Sequence, residues 1–360
     1  MSRFKIGIAA LGLAIGILAT LPARAWERGP VDVLAVLPDV TQNVQSSVEG
    51  LTLGPDGNIY VPTFGFNTQG SLTGNAVLFV ISPGGNIVRK LTIQGSSPHM
   101  LGLAFNPAFG NLLVLDFGAG KVLDVNPYSG ESTVKAGPIA NSGLNALTFD
   151  RAGNAYISDS FNGTIWKLTH SGVLTSWASG NLLGPGTGLT PPFGANGVEF
   201  NNEQTMLYVA NTAEHQIIQI PLNPDGSAGT PSILITGINA PDGIAVDSHD
   251  NIWICANQED EIVVIDKTGK VIAKLGDFNG ISDNGTPRGL LFPASPAFSL
   301  DGKFIYTSNF ALNLPFAGAQ VAIDSGWTLE VKHFTVSRLN AKIPPLGDAD
   351  DGDDDHDGNH

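Results

Sequence analysis

The sequence predicts an all-β protein, a six-bladed β-propeller whose four-stranded antiparallel blades surround a central channel. Composition is the first reason: Gly (44) and Pro (23) are abundant, and only 14% of the 360 residues are charged. That mix favours short strands joined by turns over a helical protein. The second reason is an internal repeat whose units are 44 to 53 residues apart, a period typical of propeller blades.

Each repeat unit contains a turn, a strand with alternating apolar residues, a Gly or Asn turn, and a second β-rich strand. Examples are "LNALTFDRAGNAYISDS" from Leu144 and "PDGIAVDSHDNIWICAN" from Pro241. Third strands such as "GTIWKLTH" from Gly163 and fourth strands such as "VIAKL" from Val271 follow. The six units start at Val48, Met100, Leu144, Ala195, Pro241 and Ala294. We expect "VDVLAVL" from Val31 to join the last blade and close the ring; an open solenoid, the alternative, would leave sheet edges exposed.

Residues 1–25 have the features of a secretory signal peptide. Two basic residues precede an apolar run of 16 residues, 6–21, and residues 23–25 read Ala-Arg-Ala. The run is shorter than the roughly 20 residues that a membrane-spanning helix needs. We therefore expect a periplasmic or secreted mature chain, without stable membrane insertion, that starts near Trp26.

The formal net charge of −15 disfavours nucleic acid as a partner and favours cations. Seven aspartates lie in the last 13 residues, and Asp353, Asp355 and Asp357 have the D-x-D-x-D-G form of a Ca²⁺ loop. The carboxylate that such a loop needs at its twelfth position is missing. Residues 346–360 are therefore predicted to be a disordered acidic tail after a propeller of residues 26–345.

Cys255 is the only cysteine, so no intramolecular disulfide forms. It lies among Ile252, Trp253 and Ile254, which predicts a small buried residue and not a nucleophile. An exported chain without disulfides must be stabilised by its core.

One position, which we call the slot, recurs just before the first strand of each unit. In blade order the slot holds Glu49, Leu101, Asn145, Asn196, Asp242 and Ala294. First strands surround the channel of a propeller, so the slots are expected to face one axis. Carboxylate and amide oxygens without Cys or His suit a hard divalent cation, with Ca²⁺ favoured over Mg²⁺. The alternative is that these residues cap strand-entry turns, as Asp242 would between Pro241 and Gly243.

The motifs around the four polar slots resemble those of the gluconolactonase and regucalcin (senescence marker protein) family, and more distantly the paraoxonases. They are "VEGL", "LNALTFD", "ANGVEF" and "PDGIAVDSHDNIW", and the resemblance spans roughly residues 45 to 340. Leu51 and Ala146 depart from the family pattern, which has Pro and often a second polar residue there. The resemblance implies a metal-dependent hydrolase of lactones or related esters, with Glu49, Asn145, Asn196 and Asp242 as metal ligands.

Two residues are candidates for acid–base catalysis. The resemblance implies that Asp242 is a ligand with a possible role as base. His99, in "SSPHMLGLAF", resembles in position a histidine proposed as base in paraoxonases; the alternative is a structural loop histidine. The Gly- and Pro-rich loop 180–196 is long enough to form a lid or specificity wall, or a solvated connector.

The second functional hypothesis is a non-catalytic propeller of the NHL type that binds a ligand or protein. Repeats of that type resemble this sequence in having "PDG", then a strand, then a segment such as "NIW". A strictosidine-synthase-like activity is a minor third hypothesis. The sequence does not determine the substrate or the oligomeric state.

Overall fold

A computed structural model describes residues 28–186, 193–312 and 323–343. The predicted signal peptide and acidic tail lie outside these residues. No helix in the described ranges is long and apolar enough to cross a membrane. The 3₁₀ helices there are Asn257–Glu259 and Ile323–Glu330.

The described chain forms 28 strands. In chain order they are β1 (Val31–Val36), β2 (Thr52–Leu53), β3 (Ile59–Pro62), β4 (Phe66–Asn67), β5 (Gly70–Ser71), β6 (Val77–Ile81), β7 (Ile87–Thr92), β8 (Met100–Phe105), β9 (Leu112–Asp116), β10 (Lys121–Val125), β11 (Ser132–Ala136), β12 (Leu144–Phe149), β13 (Ala155–Asp159), β14 (Thr164–Leu168), β15 (Leu174–Ser179), β16 (Ala195–Phe200), β17 (Met206–Asn211), β18 (Gln216–Pro221), β19 (Ser232–Thr236), β20 (Pro241–Val246), β21 (Ile252–Ala256), β22 (Glu261–Ile265), β23 (Val271–Leu275), β24 (Phe278–Ile281), β25 (Pro287–Gly289), β26 (Pro293–Phe298), β27 (Phe304–Asn309) and β28 (Thr335–Asn340).

Six antiparallel sheets of four strands form the blades, which confirms the predicted fold class. From the axis outwards, blades 1 to 6 are β2-β3-β6-β7, β8-β9-β10-β11, β12-β13-β14-β15, β16-β17-β18-β19, β20-β21-β22-β23 and β26-β27-β28-β1. Two small hairpins, β4-β5 and β24-β25, project from blades 1 and 5. Each innermost strand contacts the innermost strands of both neighbouring blades.

The ring is closed by the N-terminal strand, as predicted from the sequence. β1 is the outermost strand of blade 6 and pairs antiparallel with β28, with Val31 opposite Leu339. Just before β1, the Arg28 guanidinium donates to the Glu261 carboxylate of blade 5 over 2.6 Å. The open solenoid is therefore excluded.

Aspartates hold the turn between the first and second strands in several blades. Asp247 Oδ2 accepts hydrogen bonds from Asn251 Nδ2 (2.9 Å) and from Trp253 Nε1 (3.0 Å). In blade 3, Asp150 Oδ2 accepts from Asn154 Nδ2 over 2.8 Å. These bonds explain the repeated Asp, Asn and aromatic residues at each hairpin, because the side chains replace backbone partners in the turn.

The hydrophobic core lies between successive blades. Tyr208 and Ile217 of blade 4, for example, belong to one buried cluster with Ile254 and Val263 of blade 5. Cys255 is fully buried as a free thiol, which confirms its interpretation as a small core residue. Burial of this kind requires both faces of a blade to be apolar, hence the β-branched second and third strands.

The innermost strands surround a central channel with a cavity of about 370 Å³. Glu199 is a charged residue on this wall, and its carboxylate accepts a hydrogen bond from Thr148 Oγ1 over 2.7 Å. Burial raises the pKa of Glu199, although bonds from Thr148 and the Phe200 backbone oppose the increase.

Candidate metal centre

In blades 2 to 6 a β-bulge turns the slot residue out of the strand ladder. In blade 3, Leu144 pairs with Asp159 and Leu147 with Ile157, so the first strand has one extra residue at Asn145. The same irregularity follows the first pair of β8, β16, β20 and β26. Bulges of this kind redirect a side chain beside a site. In blades 2 to 6 the slot is therefore the second residue of the inner strand, and the expectation that it precedes the strand is wrong there by about one residue. In blade 1 the expectation holds, because Glu49 precedes β2.

The segment Pro241–Gly243 illustrates the correction. The sequence alone favoured a turn, but all three residues belong to β20. Pro241 is tolerated because it is the first residue of β20, where the missing N–H removes no inner ladder bond. Its carbonyl accepts a hydrogen bond from Thr212 Oγ1 over 2.8 Å.

Glycines after the slots allow the inner strands to approach closely. A Cβ at Gly197 would lie 2.3 Å from the Asp242 carbonyl oxygen, and one at Gly243 would lie 2.4 Å from that of Ala294. Such distances are steric clashes, so these glycines are required by the close approach of neighbouring blades.

The four polar slot side chains are all buried, with exposed fractions of 6% (Glu49), 3% (Asn145), 5% (Asn196) and 7% (Asp242). Three of their oxygens are buried without a hydrogen-bond partner: Glu49 Oε2, Asn145 Oδ1 and Asp242 Oδ1. Buried polar atoms are normally paired, because an unpaired one costs about 1–3 kcal/mol. Oxygen-only donors with two carboxylates fit a hard divalent cation.

The candidate centre contains too few carboxylates to stand out as a cluster of ionisable residues. In the ranges that the structure describes, no group of three or more His, Cys, Asp or Glu side chains is placed to hold a metal. Amides supply half of the donor set here, which suits Ca²⁺ because it accepts carbonyl oxygens.

Glu49 and Asp242 perturb each other electrostatically. Burial, the negative charge of Asp242 and a hydrogen bond with it raise the pKa of Glu49 well above its ordinary value. Burial raises the pKa of Asp242 to about 7, although interactions with Asn196, Asn257 and Glu49 oppose that increase. Because the pKa of each carboxyl group is raised, the buried pair favours uptake of a proton or of a cation that compensates the charge.

Two hydroxyl groups orient the slot amides. Ser160 Oγ donates to the Ala195 carbonyl (2.7 Å), so it accepts from Asn145 Nδ2 (3.3 Å). Thr212 Oγ1 likewise donates to a carbonyl of the next blade and accepts from Asn196 Nδ2 over 3.0 Å. Because each amide nitrogen is held by a hydroxyl, each amide oxygen is directed away from it.

Asn257 holds Asp242 in the equivalent position of blade 5. Its Nδ2 donates to Asp242 Oδ2 (3.1 Å) and to the Pro293 carbonyl (3.3 Å), and its Oδ1 accepts from Gln258 Nε2. The Asp242 oxygen that keeps no partner is thus Oδ1.

Ser160, Thr212 and Asn257 were missed by the sequence reasoning, although a signal was present. Each is the first residue after the second strand of its blade: Ser160 follows β13, Thr212 follows β17 and Asn257 follows β21. Aligning the second strands as the first strands were aligned would have shown polar residues there in blades 3, 4 and 5.

His99 lies on the same face, but its ring contacts other groups. Its Nδ1 lies 2.7 Å from the Phe64 carbonyl and its Nε2 lies 3.0 Å from Ser71 Oγ. A carbonyl only accepts, so Nδ1 carries a proton and donates it to the Phe64 carbonyl. The ring also stacks on Phe66, with centroids 4.3 Å apart. The structure brings Glu49, Asn196 and Asp242 into direct interaction; a catalytic role for His99 stays a prediction.

Loop 180–196 is described at residues 180–186 and 193–196 only. Leu183 in its first part is buried and accepts a hydrogen bond from the Ala195 backbone over 2.8 Å. The remaining residues lie outside the described ranges, so its role as a lid stays a prediction.

Comparison with known families identifies the family of the chain. Residues 92–276 match the model of the SMP-30/gluconolactonase/LRE-like region, which is about half of the chain. The chain belongs to this family. The matched segment contains Asn145, Asn196 and Asp242, three of the four polar slots.

Individual relatives share less. The lactonase drp35 of Staphylococcus haemolyticus is 28% identical over 86 residues, which are 22% of this chain and 26% of the relative. The match thus spans about a quarter of that protein's length.

Solved structures share the fold at low sequence identity. A calcium-binding protein, regucalcin, from Agrobacterium tumefaciens has a TM-score of 0.57 and 16% identity, covering 87% of this chain and 98% of its own. A streptogramin B lyase has a TM-score of 0.56 and 15% identity, covering 88% and 100%. Proteins with such different names share this propeller, so these similarities establish the fold and not the reaction.

Proposed function

We propose that the protein is an exported hydrolase of lactones or related esters that depends on a divalent cation, Ca²⁺ in preference to Mg²⁺. The observation that carries the proposal is the set of three partnerless buried oxygens on Glu49, Asn145 and Asp242. Membership of a family named for gluconolactonase, and the local similarity to a lactonase, support the choice of substrate.

The cation would be held by Glu49, Asn145, Asn196 and Asp242. When bound, it supplies positive charge that polarises the ester carbonyl and stabilises the oxyanion of the transition state. The side chains themselves supply position and basicity: Asn257 holds the Asp242 carboxylate, and the hydroxyls of the neighbouring strands hold the two amides.

Hydrolysis requires a bond between a water oxygen and the carbonyl carbon, and it breaks the carbon–oxygen bond of the ring. The products are a carboxylic acid and a hydroxyl group on one chain. Asp242 is the proposed acceptor of the water proton, because Asn257 Nδ2 fixes its carboxylate by a hydrogen bond to Oδ2.

The test is hydrolysis of a panel of lactones by the mature chain after chelation and after return of Ca²⁺. We expect activity only with the cation, and its loss in Asp242→Ala and Asn196→Ala. Asp225→Asn, an exposed aspartate in a turn at the opposite face, should leave activity unchanged.

Cation binding is measured separately by calorimetry with Ca²⁺, Mg²⁺ and Zn²⁺. Absence of binding and of hydrolysis, with unchanged behaviour of both slot variants, would refute the enzyme and favour the ligand-binding NHL-type propeller.

Export is part of the proposal and rests on residues 1–25, with their basic start, apolar run and Ala-Arg-Ala site. N-terminal sequencing of protein from a periplasmic fraction tests it. A start near Trp26 is expected, and recovery of the intact chain from the cytoplasm would contradict it.

A further inference from the structure

The residues beside the slots divide the ring into a polar half and an aromatic half. At the position after each second strand, blades 3, 4 and 5 have Ser160, Thr212 and Asn257. Blades 6 and 2 have Phe310 and Phe117 there. In blade 1 the equivalent residue is Phe64, because the isolated bridge between Val48 and Thr63 extends the pairing one residue beyond β3. Two of the three slots in the aromatic half, Leu101 in blade 2 and Ala294 in blade 6, also lack an oxygen donor, whereas blade 1 has Glu49 in its slot.

The aromatic half is continuous. Phe64 lies 5.6 Å from Phe310 and 5.9 Å from Phe117 between ring centroids. Phe117 lies 5.6 Å from Phe161, and Phe161 lies 5.4 Å from Phe193. We call these five phenylalanines the aromatic arc. It runs from blade 6 over blades 1 and 2 to the segment that precedes the slot of blade 4.

The exposed fraction of the side chains in the arc is smallest at Phe64 and Phe310 and greatest at Phe161. Phe64 and Phe310 are 8% and 9% exposed and pack in one cluster with Leu101 and Ala294. Phe161 is 38% exposed, an unusual position for a large apolar side chain next to buried polar oxygens. The arc thus offers an apolar surface that begins at the candidate centre and opens to solvent.

A substrate with many hydroxyl groups fits this surface poorly. Hydroxyls placed against phenylalanine rings lose water without gaining a hydrogen bond, which costs affinity. An alkyl or aryl group increases the affinity instead, because its binding removes apolar surface of both the substrate and the phenylalanine rings from water.

We infer that the aromatic arc binds an apolar arm of the substrate, so that the preferred lactones carry an alkyl or aryl group and not a polyhydroxylated chain. This inference rests on the proposed function and names its substrate class. Phe161 is the specificity-determining residue that is most accessible to test, because its exposure makes truncation compatible with folding.

The experiment compares three lactones that share a six-membered ring: unsubstituted δ-valerolactone, δ-nonalactone with a butyl group, and glucono-δ-lactone with a hydroxymethyl group and three ring hydroxyl groups. We expect kcat/KM for δ-nonalactone to exceed that of δ-valerolactone on the order of tenfold, and glucono-δ-lactone to be the poorest substrate. Phe161→Ala should reduce the first ratio several-fold. The matched control is Phe109→Ala, a phenylalanine that is 52% exposed in the β8–β9 turn at the opposite face.

A binding measurement separates the inference from the proposed function. The probe is 3-butylcyclohexanone, in which CH₂ replaces the ring oxygen of δ-nonalactone so that hydrolysis is impossible. Calorimetry should show binding that Phe161→Ala weakens and Phe109→Ala does not.

Each outcome decides one claim. Faster hydrolysis of glucono-δ-lactone than of δ-nonalactone overturns the inference and leaves the hydrolase intact. Hydrolysis of no lactone overturns the proposed function, and the ketone then decides the inference alone: binding that depends on Phe161 supports it, and no binding, or equal weakening by both variants, overturns it.

Discussion

At the scale of residues, the candidate centre is defined by how few partners its buried oxygens have. Glu49 and Asp242 lie at the axis without a cationic side chain among the interactions that shift their pKa values. Burial of two carboxyl groups without compensation costs several kcal/mol unless a proton or a cation is taken up. This cost gives the site a pH dependence that is independent of any reaction.

We expect the melting temperature of the chelated protein to fall as pH rises from 5 to 8. The pKa of Asp242 is 3.8 when unperturbed and about 7 in the fold. A pKa that folding raises contributes stability fully below the unfolded value, and that contribution is lost as pH rises through the folded value. The loss is on the order of a few kcal/mol, measured by thermal unfolding.

Asp242→Asn should flatten this profile, because the amide does not titrate, and Asp225→Asn should not. Added Ca²⁺ should raise the melting temperature more at pH 8 than at pH 5, since it competes with protons for the same oxygens. A profile of the chelated protein that is flat or rises between pH 5 and 8 would contradict the assignment.

Thr212 is predicted to act on the centre through Asn196. Thr212→Val keeps the side-chain shape but removes the acceptor for Asn196 Nδ2 and the donor to the Pro241 carbonyl. Loss of such an outer partner typically weakens metal binding by about 10–100-fold. Calorimetry should therefore show Ca²⁺ affinity reduced by at least about tenfold.

A matched control exists in the same blade. Thr205 Oγ1 accepts from Asn201 Nδ2 over 3.0 Å in the β16–β17 turn, at the opposite face. Thr205→Val removes an equivalent Asn–Thr bond there and should leave Ca²⁺ affinity unchanged. Equal Ca²⁺ affinities of the two variants would show that the hydrogen bond from Asn196 to Thr212 does not contribute to cation binding.

At the scale of elements, the bulged inner strand and the glycine that follows the slot act together to position the slot side chain. The bulge turns the slot side chain towards the axis, and the glycine admits the neighbouring strand. The sequence displayed the glycines of "VEGL", "ANGV" and "PDGI", but it suggested turns for them. Only the contact between blades explains them, since the atom that excludes a Cβ at Gly197 belongs to Asp242.

Gly197→Ala should therefore destabilise the protein and disturb the centre together. Its Cβ would lie 2.3 Å from the Asp242 carbonyl oxygen, so the two strands must separate. We expect a loss of about 1–3 kcal/mol in the free energy of unfolding, with weaker Ca²⁺ binding. Gly84→Ala is the control, because its nearest neighbour would be 3.8 Å away. Unfolding in urea measures the stability of both variants. Equal stabilities of Gly197→Ala and Gly84→Ala would contradict a close approach of the two inner strands at Gly197.

At the scale of the whole molecule, function depends on closure of the ring. The polar slots belong to blades 1, 3, 4 and 5, so their side chains meet only if blade 6 joins blade 1. β1 provides that join by pairing with β28, and Arg28 ties it to Glu261 of blade 5.

A chain that begins at Pro38 should lose stability and cation binding together. It lacks β1, including the buried Ala35, and also Leu37, and it leaves β28 as an unpaired edge. We expect the melting temperature to fall by about 10 °C or more, corresponding to several kcal/mol, with increased aggregation.

Light scattering and thermal unfolding measure the effect against a chain that begins at Trp26. A second chain that ends at Ile343 keeps every described strand and should unfold like the parent. Unchanged unfolding of the chain from Pro38 would show that closure is unnecessary.

The sequence by itself determined the blade count, the four strands per blade, the closing strand and the common register of the four polar slots. These features repeat locally, and a repeat is readable because each copy obeys the same alternation and turn chemistry. The tertiary structure alone decided which groups meet: the Ser160 and Thr212 hydroxyls with the amides, Asn257 with Asp242, the carboxyl group of Glu49 with that of Asp242, and the phenylalanines of the aromatic arc. These are contacts between residues far apart in the chain, so their distances and dielectric surroundings exist only once the ring has closed.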